Sequence, residues 1–283
     1  MLGLGEIGTA LFSIIKEEEI NFNVYGLDLE KTKMQALNQI ETRLPAKIDT
    51  MHICLPCKKQ DVFVNTVYAY VKQFSPDLVI INSTVPPGTT LKVKQKCECL
   101  VAHSPVRGVH KSPKHMVWEL RRWKKYVGGA NPQATTAARR HFEKAGLKVK
   151  TLKSCRETEL AKLFETVYRA WLIACFQEMH RIARTFEADF DDVVDFLEDT
   201  HRTRLDRPIM FPGFIGGHCL IPNTELLLQA YDSKFLQLIL ESNEKRKTEI
   251  EDNALRKEAE KIAERVDALE KDLNQETSES ETC

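Results

Sequence analysis

Gly3-Leu4-Gly5-Glu6-Ile7-Gly8 opens the chain and runs into Thr9-Ala10-Leu11-Phe12-Ser13-Ile14-Ile15. That glycine spacing allows a tight turn, lets a pyrophosphate approach the backbone, and starts a helix whose first amides face the anion. Working outward, Asn23–Leu27 reads as a short apolar strand ending in Asp28, twenty residues beyond Gly8, where a carboxylate accepts hydrogen bonds from ribose hydroxyls. The stretch predicts dinucleotide binding by Gly3, Gly5, Glu6, Ile7, Gly8 and Asp28. Asp28 favours NAD over NADP, because a 2′-phosphate would meet its charge, while Lys31 and Lys33 work against that preference. Only Met1 and Leu2 precede Gly3, where a central strand of about 5–6 residues should lie. Either the start is trimmed or the strand is short, and the sheet is expected to lack part of its central strand.

Beyond the loop, Thr50–Leu55, Leu78–Asn82, Glu98–Ala102, Lys124–Gly128 and Val149–Leu152 alternate with helical stretches, a βαβα rhythm that predicts a Rossmann-type doubly wound parallel sheet. This domain is expected over residues 1–152. From Thr158 to Glu187 the pattern is one long helix without Gly or Pro, the first element of an α-helical domain over 153–240. A helix over Asp191–Glu198, a Pro/Gly-rich loop over Arg207–Asn223 and a helix from Thr224 follow. In the last segment, 241–283, Leu255, Ala259, Ile262, Val266, Leu269 and Leu273 form a short heptad seam between charged residues. It reads equally as a coiled-coil element or as one solvated helix lying against the body. Leu160, Val167, Trp171 and Ala174 make one stripe of the long helix, and Phe164 and Cys175 widen it. So wide an apolar arc asks for a partner chain, and a homodimer is expected.

The 283 residues suffice for two domains, and 42% hydrophobic with 29% charged residues fits a globular chain. No apolar run is long enough to span a membrane, and no leader pattern opens the chain, so a cytoplasmic protein is expected. The eight cysteines lack the spacing of a disulfide framework and read as thiols. The net charge is zero, but residues 241–283 hold 14 acids against 8 bases, leaving 33 bases against 27 acids in the rest. That excess suits an anionic small molecule rather than nucleic acid, for which a continuous basic stripe would be needed.

Three further segments carry chemistry. The Ser/Thr-rich turn Ser83–Thr90 follows a strand, so Ser83 and Thr84 should face the ligand crevice at the strands' carboxyl ends. His103-Ser104-Pro105-Val106-Arg107-Gly108-Val109-His110-Lys111 follows the next strand, and residues 107–125 hold seven Lys/Arg against one acid, Glu119; a cation site and a merely solvated basic face are equally consistent with this. In Pro212–Asn223, glycines flank a thiol that lies near His218 and a helix start, an environment that can activate Cys219 as a nucleophile; a buried turn cysteine is the plainer reading. Cys54-Leu55-Pro56-Cys57 has no second pair, and with the scattered histidines it does not predict a metal site; Pro56 and Cys57 are expected to flank the cofactor.

In order and spacing, the glycine fingerprint, Ser83–Thr90, Glu159-Leu160-Ala161-Lys162-Leu163 and Gly216-Gly217-His218-Cys219 resemble the UDP-glucose/GDP-mannose dehydrogenase family over residues 1 to about 230. The resemblance implies an NAD domain, a helical central domain that dimerises through its long helix, and oxidation of a nucleotide sugar's C6 alcohol to a carboxylate in two hydride transfers. By the same resemblance, Cys219 attacks the aldehyde and a thioester follows, Lys162 stabilises the oxyanion, and Thr84 helps to hold water. Arg107, His110, Thr166, Gly216, Gly217 and His218 fall on the substrate side.

Departures from the family pattern are equally specific. Thr166 stands where an asparagine is usual, Val106 where a glutamate is common, and Asn223 at the catalytic position of an aspartate; an amide cannot take up a proton near neutral pH. About fifty residues follow the cysteine loop and its helix, where the family's C-terminal domain needs on the order of a hundred. Two alternatives therefore stand beside the cysteine route: a non-catalytic dinucleotide-binding or regulatory protein, and a two-electron dehydrogenase of the β-hydroxyacid type.

Overall fold

The structure, a computed structural model, describes residues 1–18, 22–39, 44–108 and 112–280, with side chains described as far as 273. The chain forms two compact units, Met1–Phe164 and Glu165–Cys283.

In the first unit, β1 (Thr50–Ile53), β2 (Leu78–Ile81), β3 (Leu100–His103), β4 (Lys125–Gly129) and β5 (Val149–Thr151) lie side by side in that order. Strands β1 to β3 are parallel, as are β4 and β5. The α/β class holds, but β4 runs antiparallel to β3, a correction to a wholly parallel sheet. The cause is local. Ser104 Oγ donates to Tyr126 O at 2.7 Å, and Lys125 Nζ donates to Ser104 O at 2.6 Å, so β4 starts beside the end of β3 instead of returning to the sheet's far edge.

Leu2 pairs in parallel with both Leu27 and Ile53. Its amide donates to His52 O at 2.8 Å, its carbonyl accepts from Cys54 N at 2.8 Å, and Gly3 N donates to Leu27 O at 2.9 Å. The central strand is thus a single rung. For the same reason Asn23–Leu27 pairs only at Leu27, because a strand is defined by its neighbour's hydrogen bonds and the neighbour here is two residues long.

Helices α1 (Glu6–Glu17), α2 (Lys31–Ala36), α3 (Gln60–Phe74), α4 (Thr89–Lys96), α5 (Pro113–Arg122) and α6 (Pro132–Lys144) complete this unit. The alternation of β2 divides its core: Val79 and Ile81 pack with Val64, Val67 and Val93 on one face, while Leu78 and Ile80 pack with Leu11, Ile14, Met116 and Phe142 on the other.

Helix α7 (Cys155–Thr185) carries the chain into the second unit, which continues with α8 (Phe190–Arg204), α9 (Leu220–Ala230), α10 (Lys234–Glu249) and α11 (Asn253–Ser280). The units divide inside α7, where the sequence reading divides at 152/153, because the first turns of α7 bury Thr158, Glu159 and Leu163 in the first unit. Helix α8 runs longer than Asp191–Glu198. Helix α9 starts four residues before Thr224, since Pro222 sits in its first turn, where the missing N–H would have had no intrahelical partner.

The seam of α11 is covered within the chain: Leu255, Ala259, Ile262, Val266 and Leu269 are buried. Arg265 of this helix pairs with Asp191, Asp195 and Glu198 of α8. The reading as one helix against the body is the one that matches. On α7, Val167 and Ala174 face inward, while Phe164, Tyr168 and Ile182 are exposed and Trp171 and Cys175 half-buried; Phe186, just past the helix end, is exposed too. Of the arc read from Leu160, Val167, Trp171, Ala174, Phe164 and Cys175, the chain covers Val167 and Ala174 and leaves the side through Phe164, Trp171 and Cys175 exposed or half-covered. Among the described residues no helix is long and apolar enough to cross a membrane.

Candidate functional site

The glycine loop has the shape its spacing predicts. Gly3 has φ +86°, and a Cβ there would stand 2.6 Å from Cys54 O; a Cβ at Gly8 would stand 1.8 Å from Gly3 O. At Gly5, the N-cap of α1, a Cβ would meet nothing within 4 Å and no side chain caps the helix. Two glycines therefore permit close packing, and the third leaves the helix start, with Glu6 and Ile7, open to an anion.

Asp28 Oδ2 accepts from Leu4 N at 2.6 Å and Oδ1 from Glu30 N at 2.9 Å. Partial burial works to raise its pKa, but the amides of Glu30 and Leu4 and the charge of Lys33 outweigh it and hold the carboxyl below the usual range. An ionised, oriented carboxylate beside an open helix start fits a dinucleotide. Pro56 is exposed, whereas Cys57 is buried and its thiol is pushed up to about 11 by that burial.

At the end of β2, two buried ties that motif reading missed hold the Ser83–Thr90 turn. His103 Nε2 lies 3.1 Å from Ser83 O and Nδ1 2.8 Å from Thr158 Oγ1. Burial depresses this imidazole to about 3. It is therefore neutral, and because a carbonyl only accepts, Nε2 carries the proton; the single proton of the Thr158 hydroxyl is shared between Nδ1 and Cys155 O, 3.0 Å away. Glu159 accepts from Gly88 N at 2.7 Å, Thr90 N at 2.8 Å and Thr90 Oγ1 at 2.6 Å. Only its buried position, invisible in the motif, distinguishes Glu159 from the exposed acids of α7. Lys162 lies one helical turn further along α7, Ser83 is buried, and Thr84 is half-buried in the turn.

Ser104–Gly108 follows β3. Arg107 is half-buried, and its guanidinium donates to Lys124 O at 3.2 Å. Lys125, buried, donates to Ser104 O and to Pro105 O at 3.0 Å. Burial, aided by the charges of Lys162 and Arg107 and opposed by Cys54, brings this ammonium down to about 7. His110 lies outside the described residues.

In the second unit, Cys219 is the N-cap of α9 and follows the exposed Gly216, Gly217 and His218. Gly217 has φ +79°, which only glycine adopts without strain, and nothing lies within 4 Å of a Cβ built on it. One turn into α9, the buried Asn223 donates from Nδ2 to Thr166 Oγ1 at 3.1 Å, and its own amide donates to Cys219 O at 3.0 Å. Two of the positions that depart from the family pattern thus meet in one hydrogen bond, with no carboxylate in it.

Residues 156–245 match the central domain of the UDP-glucose/GDP-mannose dehydrogenase family. A UDP-N-acetyl-D-mannosamine dehydrogenase of Methanocaldococcus jannaschii is 25% identical over 258 residues, covering 78% of this chain and 58% of the relative. An NDP-N-acetyl-D-galactosaminuronic acid dehydrogenase of Ralstonia solanacearum is 22% identical over 81% of this chain and 64% of its own length. The chain spans about three fifths of the length of such curated relatives. In fold it is similar to a UDP-N-acetylmannosamine dehydrogenase of Pyrococcus horikoshii (TM-score 0.69, 21% identity, 87% of this chain and 68% of that one). It is also similar in fold to a 3-hydroxyisobutyrate dehydrogenase of Mycobacterium tuberculosis (TM-score 0.63, 16% identity, 92% and 97%). The chain is thus similar to the UDP-glucose/GDP-mannose dehydrogenase family, whose central domain it matches over residues 156–245.

Proposed function

We propose that the chain is an NAD-dependent oxidoreductase that oxidises the alcohol of an anionic substrate of the nucleotide-sugar class, using Cys219 as its nucleophile. The observation that carries this reading is the placement of Cys219: an N-cap thiol at a helix start, approached through an exposed loop that lacks side chains at Gly216 and Gly217. A thiol there can add to an aldehyde carbon. NAD, bound at Gly3–Gly8 and Asp28, would supply the hydride acceptor. Asp28 would hold the ribose, Pro56, Cys57, Ser83 and Thr84 would border the nicotinamide, and Lys162 would stabilise the developing oxyanion. Arg107, Thr166 and His218 would contact substrate. The exposed stripe of α7 supports a homodimer.

One observation favours a second reading. The Asn223 to Thr166 hydrogen bond offers an amide and a hydroxyl where the thioester route calls for a base, which suits a single two-electron oxidation. An NADH assay over UDP-sugars, GDP-sugars and small hydroxy acids tests both. Two NADH per substrate, lost in Cys219→Ser, support the first reading; one NADH, retained in Cys219→Ser, supports the second. No turnover with NAD still bound leaves the non-catalytic alternative.

A further inference from the structure

The start of β4 carries an arrangement that the proposed chemistry does not use. The Arg107 guanidinium lies 5.0 Å from the ring centroid of Trp123 and 4.9 Å from that of Tyr126. Arg122 lies 5.2 Å from Trp123 and 5.0 Å from Trp118, and Lys150 lies 5.8 Å from Tyr126. Six side chains therefore alternate as a ladder of rings and cations: Trp118, Arg122, Trp123, Arg107, Tyr126, Lys150. The ladder is anchored beneath, because Trp123 Nε1 donates to Oε2 of the buried Glu119 at 2.6 Å. The loop that carries Arg107 is anchored by the same strand, through Lys125 on the carbonyls of Ser104 and Pro105 and Ser104 Oγ on Tyr126 O.

A guanidinium held between two rings keeps its in-plane N–H groups for other partners; one N–H of the half-buried Arg107 meets Lys124 O. Among the described residues no carboxylate pairs with Arg107, Arg122 or Lys150. The one acid of the segment, Glu119, is buried beneath Trp123. Such a surface is unbalanced in charge, and ring contacts at about 5–6 Å link its cations, unlike a solvated basic face.

We propose that Trp123 and Tyr126 are positioning residues that clamp Arg107 face-on, so that its edge is presented to a diphosphate group of the ligand, with Arg122 as a second cation at the same ring. This rests on the reading of Arg107 as a ligand-binding residue. Neutral rings between like charges let two guanidiniums approach without a carboxylate, and two neighbouring cations match a diphosphate better than a single carboxylate.

Calorimetric titration of the full chain with inorganic pyrophosphate tests the clamp, with NAD at saturation so that the glycine loop is filled. Trp123→Leu should weaken binding about tenfold, Trp123→Phe should restore most of it, and Arg107→Ala should abolish it. Both Trp123 variants lose the Nε1 hydrogen bond to Glu119 and should lose thermal stability alike, so the difference between leucine and phenylalanine isolates the ring, and NAD affinity of both should match the unaltered chain. If Arg107→Ala binds pyrophosphate normally, or the unaltered chain does not bind it, the reading of Arg107 as a ligand residue falls and the clamp with it. If Arg107→Ala loses binding but Trp123→Leu keeps it, or Trp123→Phe fails as badly as Trp123→Leu, that reading stands and the clamp is overturned.

Discussion

Glu159 and Thr90 share two hydrogen bonds through one carboxylate oxygen, to the amide at 2.8 Å and to the hydroxyl at 2.6 Å, and the second oxygen takes the amide of Gly88. A buried acid on α7 thus replaces the missing side-chain cap at the start of α4 and fixes the turn after β2. Glu159→Ala leaves these donors buried without an acceptor and should destabilise the first unit by about 3 kcal/mol. Glu159→Gln keeps one acceptor and should cost about half of that. Urea unfolding followed by circular dichroism checks both values; equal stability of all three chains would show that water replaces the carboxylate.

Lys125 supplies a pH signature. Its ammonium titrates near 7 in the folded chain against 10.5 as the ordinary value, because burial penalises the charge. The unfolded chain therefore binds more protons between those values, and stability should rise with pH from about 7 to 10.5 relative to Lys125→Met, which has no such group. Thermal midpoints of the two chains measured across this window should diverge in favour of lysine. Parallel curves would show that the charge is solvated.

Asp28 holds Leu4 N as well as any ribose, so alanine at this position would confound two losses. Asp28→Asn keeps an acceptor for Leu4 but removes the charge. NAD affinity should fall roughly tenfold in Asp28→Asn and further in Asp28→Ala, the hydrogen bond to a charged acceptor contributing about 1.5–3 kcal/mol. Unchanged affinity by calorimetry would remove Asp28 from the cofactor site.

Asn223→Asp puts a carboxylate where Thr166 can donate to it, so the helix start should tolerate the change. If acid formation through Cys219 is limited by the missing base, the variant should form carboxylate product at least tenfold faster, within the about 10²–10⁴-fold that a positioned base supplies. Product analysis at neutral pH decides, and an unchanged rate would show that Asn223 does not stand at the base position.

What the sequence made legible follows from how local each signal is. The glycine loop, Asp28 and the alternation of β2 depend on a few neighbouring residues and appear where read. The inversion of β4 depends on Lys125 meeting Ser104, twenty-one positions away, and no periodicity records that contact. Glu159 and His103 look in sequence like any acid and any histidine; their significance is burial against backbone groups of another segment. The pairing of Asn223 with Thr166 spans 57 positions, so two departures that read as separate are one local arrangement. Pattern gave the width of the apolar arc on α7, through Phe164, Trp171 and Cys175, but not which part the chain itself covers, because an amphipathic arc says only how much surface is apolar.

That stripe carries the last prediction. Phe164, Tyr168 and Ile182 of α7, with Phe186 just past its end, are between 51% and 77% exposed, and Trp171 and Cys175 are half-covered between them. A row of large apolar side chains at helical spacing, on a helix of 31 residues, is the surface a second copy of the chain would bury. Deleting residues 245–283 is a poor test of it. The deletion would remove Arg246, which is fully buried and donates to Gln177 O at 2.7 Å, together with the covered seam of α11, and should unfold the second unit. Tyr168→Asp with Ile182→Asp changes only exposed positions. Light scattering at micromolar concentration should show a dimer for the unaltered chain and a folded monomer for the double variant, with the far-ultraviolet spectrum unchanged. A dimer that survives both substitutions would place the interface elsewhere on the molecule.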